Sequence, residues 1–427
     1  MQGFLESVNA VIWGLPMLVF FLFTALRFTF KSRFFQIRGF SEMLKSTLGT
    51  IFKKNTEDGV SQFGAFCSVL GACIGTGNIV GVATAIYSGG PGTVFWMWVS
   101  ALLSMMTAYS ENYLGIKYKR KDKYGNVSGG AFSYIENGLK MKGLAKTYSF
   151  FCICSVMGMG NLTQSNSISH SLKTSFSVSE YATATVVAIL VFVIIKGGVK
   201  RIADFGTVTV PLMTTFYLII SIWVILKHRE AVIPCFISIF KEAFSFKAIN
   251  GYGIYKASRF GISRGVFSNE AGLGSSTILH SQVENVSGEK QGMWAMLEVF
   301  IDTVFLCSFT AVAILITSDY TKYFGAELSI KAYGTIGKIG EKGIALLTTV
   351  FAFTSLTSCS FYGEKGVEYL FGKKHVGLYK ILYGIFAFIG CINPPKIIWT
   401  VADICNGLMA IPNLFAINVL GKEIEYK

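Results

Sequence analysis

Long apolar runs recur along the whole chain with short polar gaps between them, and each is close to the roughly 20 residues a helix needs to cross about 30 Å of hydrocarbon. Read together with the turn residues that punctuate them, the runs predict eleven membrane-spanning helices, near 9–31, 62–86, 91–117, 147–170, 181–197, 204–226, 252–282, 292–317, 343–362, 377–392 and 396–420. No stretch is left over for a soluble domain. The pattern therefore specifies an all-α polytopic membrane protein.

Two of the predicted helices are interrupted at their centres, in GACIGTGNIVG (Gly71–Gly81) and GISRGVFSNEAGLGSS (Gly261–Ser276). Glycine costs about 1 kcal/mol against alanine inside a helix. Non-helical backbone at membrane depth survives only where protein or a wet cavity lines it. Small residues four apart also let membrane helices pack closely, but packing alone does not require Thr76, Asn78, Ser268, Asn269 and Glu270, so the paired breaks point to a ligand site. Setting the first helix aside, ten remain, divisible into two sets of five with opposite orientation, each led by a broken helix. This is the inverted-repeat plan of many transporters. It divides the chain into an extra helix and basic loop (1–61), a first repeat (62–226), a connector (227–250) and a second repeat with a short tail (251–427).

Composition agrees: 52% of the 427 residues are hydrophobic and 15% charged, with a mean hydropathy of +0.53. Net charge is +14, which in a soluble protein would suggest nucleic acid. Here its placement reports topology, because the loops on one side carry more than twice the Lys and Arg of those on the other. The bias predicts an outside N-terminus and an inside C-terminus in the cell membrane. The tracts KYKRKDKYG and LKMKGLAK read as solvated inside charge touching anionic lipid, with no nucleic-acid signal. Glu6 precedes the first apolar run and no basic residue does, so the run reads as a retained helix, not a cleaved signal peptide. The nine cysteines lack metal-ligand or paired spacing and read as buried free thiols.

Ionisable residues within membrane helices are costly and mark functional candidates. The acidic set is Glu111, Glu270, Glu298, Asp302 and Asp403. Glu270, inside the second break, is open to three readings: a cation ligand, a pocket partner, or an ion pair with Arg264. Asp302 suits gating or packing polarity. His170 and His280 fall near helix ends, where a solvated or capping role is expected. A channel would show a pore motif or a ring of like residues, and an enzyme a constellation such as HExxH or GxSxG. Neither pattern is present in the sequence, so an enzyme is not expected.

The blocks GTGNIVGVATAIYSGGPGTVFWMW (Gly75–Trp98), SGGAFSYIENGL (Ser128–Leu139), GNLTQSNSIS (Gly160–Ser169), GGVKRI (Gly197–Ile202), SRGVFSNEAGLGSS (Ser263–Ser276), QGMWAMLEVFIDT (Gln291–Thr303), FYGEKGVEYLFG (Phe361–Gly372) and ADICNGLMAIPNLFAI (Ala402–Ile417) occur in that order. With them the chain, from about Gln62 to Leu420, resembles the alanine-or-glycine:cation symporter family, the sodium:alanine symporters. The resemblance implies a LeuT-type fold of five-plus-five inverted repeats and sodium-driven uptake of a small neutral amino acid. A proton-coupled amino-acid transporter is the alternative, with a channel behind it. No cofactor is implied beyond sodium as coupling ion, and no obligate protein partner.

Amides around Gly75, Thr76, Gly77 and Asn78, at the positive end of the following half-helix, suit a carboxylate. Carbonyls around Phe267, Ser268 and Asn269 suit an ammonium. By resemblance Asn78 and Gln164 join the pocket, although Gln164 also suits a bond to another helix. Sodium prefers hard oxygen ligands, and the resemblance places it between carbonyls near Ala72 and Gly75 and the hydroxyls of Thr354 and Ser355. Ahead of YGE the family pattern reads roughly GWSYYGE, whereas this chain has SCSFYGE, with Ser358 and Cys359. A thiol in place of an indole implies a roomier pocket and a substrate larger than alanine or glycine, such as glutamine, asparagine, serine or histidine, unless Phe361 or Phe267 fills the space.

Overall fold

The computed structural model describes residues 2–50, 61–121, 127–245 and 253–426. These are helical almost throughout, apart from a hairpin of Arg120–Lys121 against Val127–Ser128. The bundle is built from α1 (Gly3–Lys31), α2 (Gln62–Cys73), α3 (Gly77–Gly89), α4 (Gly92–Lys117), α5 (142–176), α6 (Glu180–Ile195), α7 (Gly198–Lys227), α8 (Val232–Ala243), α9 (Gly253–Asn269), α10 (Ser276–His280), α11 (Gly288–Thr317), α12 (Ala326–Gly334), α13 (Lys338–Phe371), α14 (Val376–Ile392) and α15 (Pro395–Leu420).

Among the described residues seven helices are long and apolar enough to cross a membrane (α1, α4, α7, α11, α13, α14 with its preceding turn, and α15), and the bent pair α2–α3 makes an eighth. The other expected spans fall on α5, on α6, which has 16 residues, and on α9–α10. Around α5 the physical reason is plain: Asn161, Gln164, Ser165, Asn166 and Ser169 are all buried, so its polar face meets protein instead of lipid. The expected span 252–282 is two helices separated by a non-helical stretch, and Tyr252 lies outside the described residues, as do 122–125 of the basic tract. The connector 227–250 is not simply a loop, since α8 fills half of it.

Burial separates an outer layer from an inner one. In the apolar window of α7 28% of residues are buried, against 78% in α13, and α6, α7 and α14 turn Val186, Ile189, Leu212, Phe216, Leu378 and Ile385 outward. The broken helices lie on the inner side. Two inner helices begin with a side-chain cap: Ser61 Oγ accepts from the Gly64 amide at 2.9 Å at the start of the broken α2, and Ser287 Oγ accepts from the Lys290 amide at 3.3 Å at the head of α11.

Three helices widen into π-type turns, at Gly77–Gly81 in α3, Val156–Leu162 in α5 and Phe300–Leu306 in α11. Such turns carry an extra residue at the expense of regular hydrogen bonds, and they recur at functional sites. Here each delivers polar groups to the bundle interior: Asn78, then Asn161 with Gln164 just beyond, then Asp302 and Thr303.

Candidate functional site

The first break is short. Helix α2 ends at Cys73, Ile74 takes a non-helical ψ of 76°, and α3 leaves at a bend of 43°. The last carbonyls of a helix have no partner within it, and here each meets a different fate. Gly71 O accepts from Ser355 Oγ of α13 at 2.9 Å, and Cys73 O accepts from the Gly75 amide at 2.8 Å. The Ala72 carbonyl lies between them. On the other side of the break the Thr76 amide donates to Gln164 Oε1 at 3.1 Å, while Gln164 Nε2 donates to Met159 O at 3.1 Å. Gly75 sits directly under Ser355 and Gln164, where any Cβ would strike both side chains.

The second break falls later than the glycines suggest. Helix α9 runs unbroken through Gly261 and Gly265 to Asn269, and these glycines serve packing. A Cβ at Gly261 would strike Thr93 O and Trp96, and Gly265 faces Met97 and Ser100 of α4. The carbonyls around Phe267–Asn269 are therefore freed as a helix end, not by unwinding. The non-helical stretch is 270–275, where Glu270, Gly272 and Gly274 adopt left-handed φ of +57°, +92° and +74°. Scaffold side chains hold it. Asn413 Nδ2 donates to Gly272 O at 2.9 Å and to Glu111 Oε1. Tyr148 OH donates to Leu273 O at 3.0 Å.

The two breaks touch. A Cβ on Gly77 would lie 3.0 Å from Ser268 Cα, so only glycine lets the two backbones approach this closely. Beside the contact, Asn78 Nδ2 donates to Asp302 Oδ1 at 2.8 Å and to Asp302 O at 2.9 Å. Thr303 Oγ1 donates to Asp302 Oδ2 at 2.7 Å and receives Asn269 Nδ2 at 3.0 Å. Thr310 Oγ1 closes the circuit on Asn78 O at 2.7 Å, and Ser268 lies 3.6 Å from Cys307 Sγ. Asp302 is thus a carboxylate at the junction of α3, α9 and α11. Thr76 Oγ1, Asn78 Oδ1 and Glu270 Oε1 are buried and have no hydrogen-bond partner among the described residues. Orphaned acceptors and hydroxyls of this kind need a ligand or water to satisfy them.

Of the expected residues, Gly75, Thr76, Gly77, Asn78, Gln164, Ser268, Asn269 and Ser355 converge on this junction. Thr354 is less direct, because its hydroxyl donates to Phe351 O at 2.7 Å in its own helix, the usual habit of hydroxyls in membrane helices. Cys359 is buried against Gly160 in the wide turn of α5. Phe267 stacks on Trp399, with ring centres 4.8 Å apart.

Arg264 does not pair with Glu270. Its guanidinium makes a two-pronged ion pair with Asp403 of α15, at 2.6 and 2.7 Å, and lies over both aromatic rings, 5.6 Å from Phe267 and 5.1 Å from Trp399. Planar Arg suits this combined carboxylate and aromatic seat better than Lys. Glu270 instead accepts from Ser275 Oγ at 2.5 Å. His280, expected to be solvated or capping, is fully buried; its Nε2 is 2.9 Å from Glu298 Oε2, and its Nδ1 meets Gln291. The missed residues are Trp399, Asn413, Tyr148 and Thr303. None stands out in composition, and only the folded contacts bring them in.

Among the described residues no group of three or more His, Cys, Asp or Glu is placed to hold a metal ion. The junction instead offers carbonyls, hydroxyls and one carboxylate, a donor set suited to a hard monovalent cation.

Comparison with known proteins gives the family and the fold. The model of the sodium:alanine symporter family matches residues 1–426. An uncharacterised transporter of Haemophilus influenzae is 38% identical over 99% of this chain and 94% of its own length. The sodium/alanine symporter AgcS of Methanococcus maripaludis is 36% identical over 97% of this chain and 94% of its own. Among solved structures, MhsT in complex with L-phenylalanine superposes with a TM-score of 0.65 at 12% identity, covering 87% of this chain and 91% of that one, which is a likeness of fold. The chain is a multi-pass membrane protein of LeuT-like fold, and it belongs to the sodium:alanine symporter family, a family of amino-acid:cation symporters.

Proposed function

We propose that this chain imports a small neutral amino acid together with sodium by alternating access, with both held where the two helix breaks meet. The observation that carries this reading is the contact of Gly77 with Ser268, flanked on one side by the Ser355–Gly71 bond and on the other by Asp302. The zwitterion's carboxylate faces the amides at the head of α3, from Gly75 to Asn78, beside the free Thr76 hydroxyl. Its ammonium faces the end of α9, from Phe267 to Asn269. Burying either charge without partners would be prohibitive, and the helix ends supply them.

One sodium sits where the Ser355 hydroxyl meets the Gly71 carbonyl, taking a lone pair from each oxygen while the hydroxyl keeps its proton, with Ala72, Gly75 and Thr354 completing the shell. A second cation position is supplied by Asp302, Asn78 and Ser268. Topologically, α1 is the extra first helix of the eleven; 62–226 and 251–427 are the inverted repeats, with α5, α6 and α9–α10 crossing despite their length or polarity. The chain starts outside and finishes inside the cell membrane. Arg264, Asp403, Phe267 and Trp399 close the outer path. The small Cys359 side chain leaves room for a side chain longer than that of alanine, such as glutamine, asparagine, serine or histidine.

The test is uptake into proteoliposomes with an imposed sodium gradient, competing labelled alanine with each amino acid. Saturable uptake that needs inward sodium is expected. Uptake driven by a proton gradient alone, or flux without saturation, contradicts the reading; competition by alanine and glycine only removes the larger-substrate clause.

A further inference from the structure

Beyond Leu420 the chain stays on the bundle. Gly421–Glu423 make one tight turn, Ile424 is buried with 4% of its surface exposed, and residues 421–426 lie between the ends of α1 and α4. Lys31 Nζ, at the end of α1, donates to Gly421 O and, at 3.2 Å, to Ile424 O, and it sits 5.4 Å from the centre of the Tyr426 ring. From α4, Tyr109 OH donates to Glu425 O at 2.9 Å, and its ring stacks on Tyr426 at 5.2 Å. Ser110 Oγ and Tyr426 OH are 3.2 Å apart. Lys117 pairs with Glu423 at 2.8 Å, and Tyr118 OH donates to the same carboxylate at 2.6 Å.

These contacts strengthen one end of a junction between two bodies that also meet directly, where the second half of α1 packs on α4, Asn413 of α15 donates to Glu111 of α4 and Arg264 pairs with Asp403. Helix α1 is clasped to α15 along its length: Trp13 Nε1 donates to Asp403 O at 2.9 Å, Asn418 Nδ2 donates to Thr24 Oγ1 at 2.7 Å, and Arg27 Nη1 donates to Asn418 O at 2.7 Å. Helix α4 packs along α9 and α11, closely enough that Tyr109 lies flat on Gly292. The first body carries Asp403, the second carries Arg264 and the wide turn with Asp302. Apart from Ile424 and the Tyr426 ring, the tail is held by polar contacts near the surface that separate one by one. The Lys117 and Glu423 side chains are each about a third or more exposed, at 41% and 35%, and exposed pairs of this kind hold weakly.

We propose that residues 421–426 are an inner latch: the tail fastens the α1–α15 body to the end of α4, at the end of the bundle opposite the Arg264–Asp403 pair, and must let go for the two bodies to move apart in each transport cycle. This rests on the transport reading above. A weak clasp between rigid bodies suits a gating step, since such steps draw on low-stability contacts.

The test bridges the tail to α4. The Ser110→Cys, Tyr426→Cys double variant, cross-linked with a short bis-thiosulfonate reagent, should lose sodium-driven uptake by at least about ten-fold and regain it on reduction, with wild-type protein treated alike to control for native cysteines. Bridged protein that transports at its reduced rate overturns the latch. A second arm needs no transport: trypsin should cut after Lys422 slowly in wild type and faster, by about ten-fold, in Tyr426→Ala with Glu423→Gln. Equal cleavage overturns the latch as well. Should wild type import no amino acid with sodium, the transport reading fails while the trypsin arm still decides whether the tail is held.

Discussion

The two helix breaks differ in how they are held. Between α2 and α3 the interruption spans three residues and bends the path by 43°, and what meets it is a hydroxyl, Ser355, and an amide, Gln164, each by one ordinary hydrogen bond. Between α9 and α10 the backbone is non-helical over 270–275, passes three times through left-handed φ, and is tied down by Asn413 and Tyr148 from the surrounding scaffold. The first break presents groups that a cation or carboxylate can take over. The second has its carbonyls at Gly272 and Leu273 already taken. On the function proposed above, one break is the exchangeable part of the site, and the other is a fixed post whose helix end, at Phe267–Asn269, takes the ammonium.

The largest effect expected from this contrast comes at the contact between the breaks. Gly77→Val places a branched side chain against the Ser268 backbone, which cannot yield as a flexible side chain would. Uptake should fall by roughly 100-fold, the scale of a displacement of about 1 Å in a positioned site, while the purified protein still elutes as folded. Gly75→Ala meets only the side chains of Ser355 and Gln164 and should cost less; equal losses at both positions would break the comparison.

Next comes the ion pair above the site. Arg264→Ala strands Asp403 in a buried setting and should destabilise the protein by about 3–5 kcal/mol, visible as a lower melting temperature. Asp403→Asn combined with Arg264→Gln should recover much of that stability, because no charge is left uncompensated, without recovering transport.

A smaller pair of effects separates the breaks most cleanly. Asn413→Ala leaves the Gly272 carbonyl and Glu111 unsatisfied, so stability should drop by about 1–3 kcal/mol, with little change in the sodium concentration needed for uptake. Ser355→Ala should do the reverse. The smallest effect is on the tail. Burial against α4 pushes the Tyr426 hydroxyl up from 10.0 to about 12, so its docked, protonated form is favoured below pH 10. That contribution is lost as pH rises toward 12, and tail protection from trypsin should be flat through neutral pH and fall only in that alkaline range.

How much of this was written in hydropathy follows from what lipid demands. A helix facing lipid must be apolar, so α1, α7 and α14 are plain in the chain, and the glycine clusters of the breaks stand out against that background. Gly261 and Gly265 read as part of a break because packing glycines and breaking glycines look alike until the neighbour, here α4, is known. The three wide turns were invisible, since one extra residue per turn barely alters an apolar run, yet they aim Asn78, Gln164 and Asp302 at one point. Pairings across long separations, Arg264 with Asp403 and Asn413 with Glu111, have no local signature. His280 looked like a helix-end residue because α10 is so short that its end lies inside the protein, where Glu298 meets it. Gly75, Asn78 and Ser268, singled out in the family blocks, meet where the two breaks touch; the packing of Trp399 and of the tail needed the fold.

The central claim is that the first break, through Ser355 and the Gly71 carbonyl, is where sodium acts. Sodium titration of amino-acid uptake in proteoliposomes, wild type against Ser355→Ala with matched melting temperatures, tests it most directly. The account predicts that the variant needs about ten-fold more sodium for half-maximal uptake, the shift expected from one lost ligand of roughly 1.4 kcal/mol. An unchanged sodium requirement, with uptake otherwise intact, would contradict it.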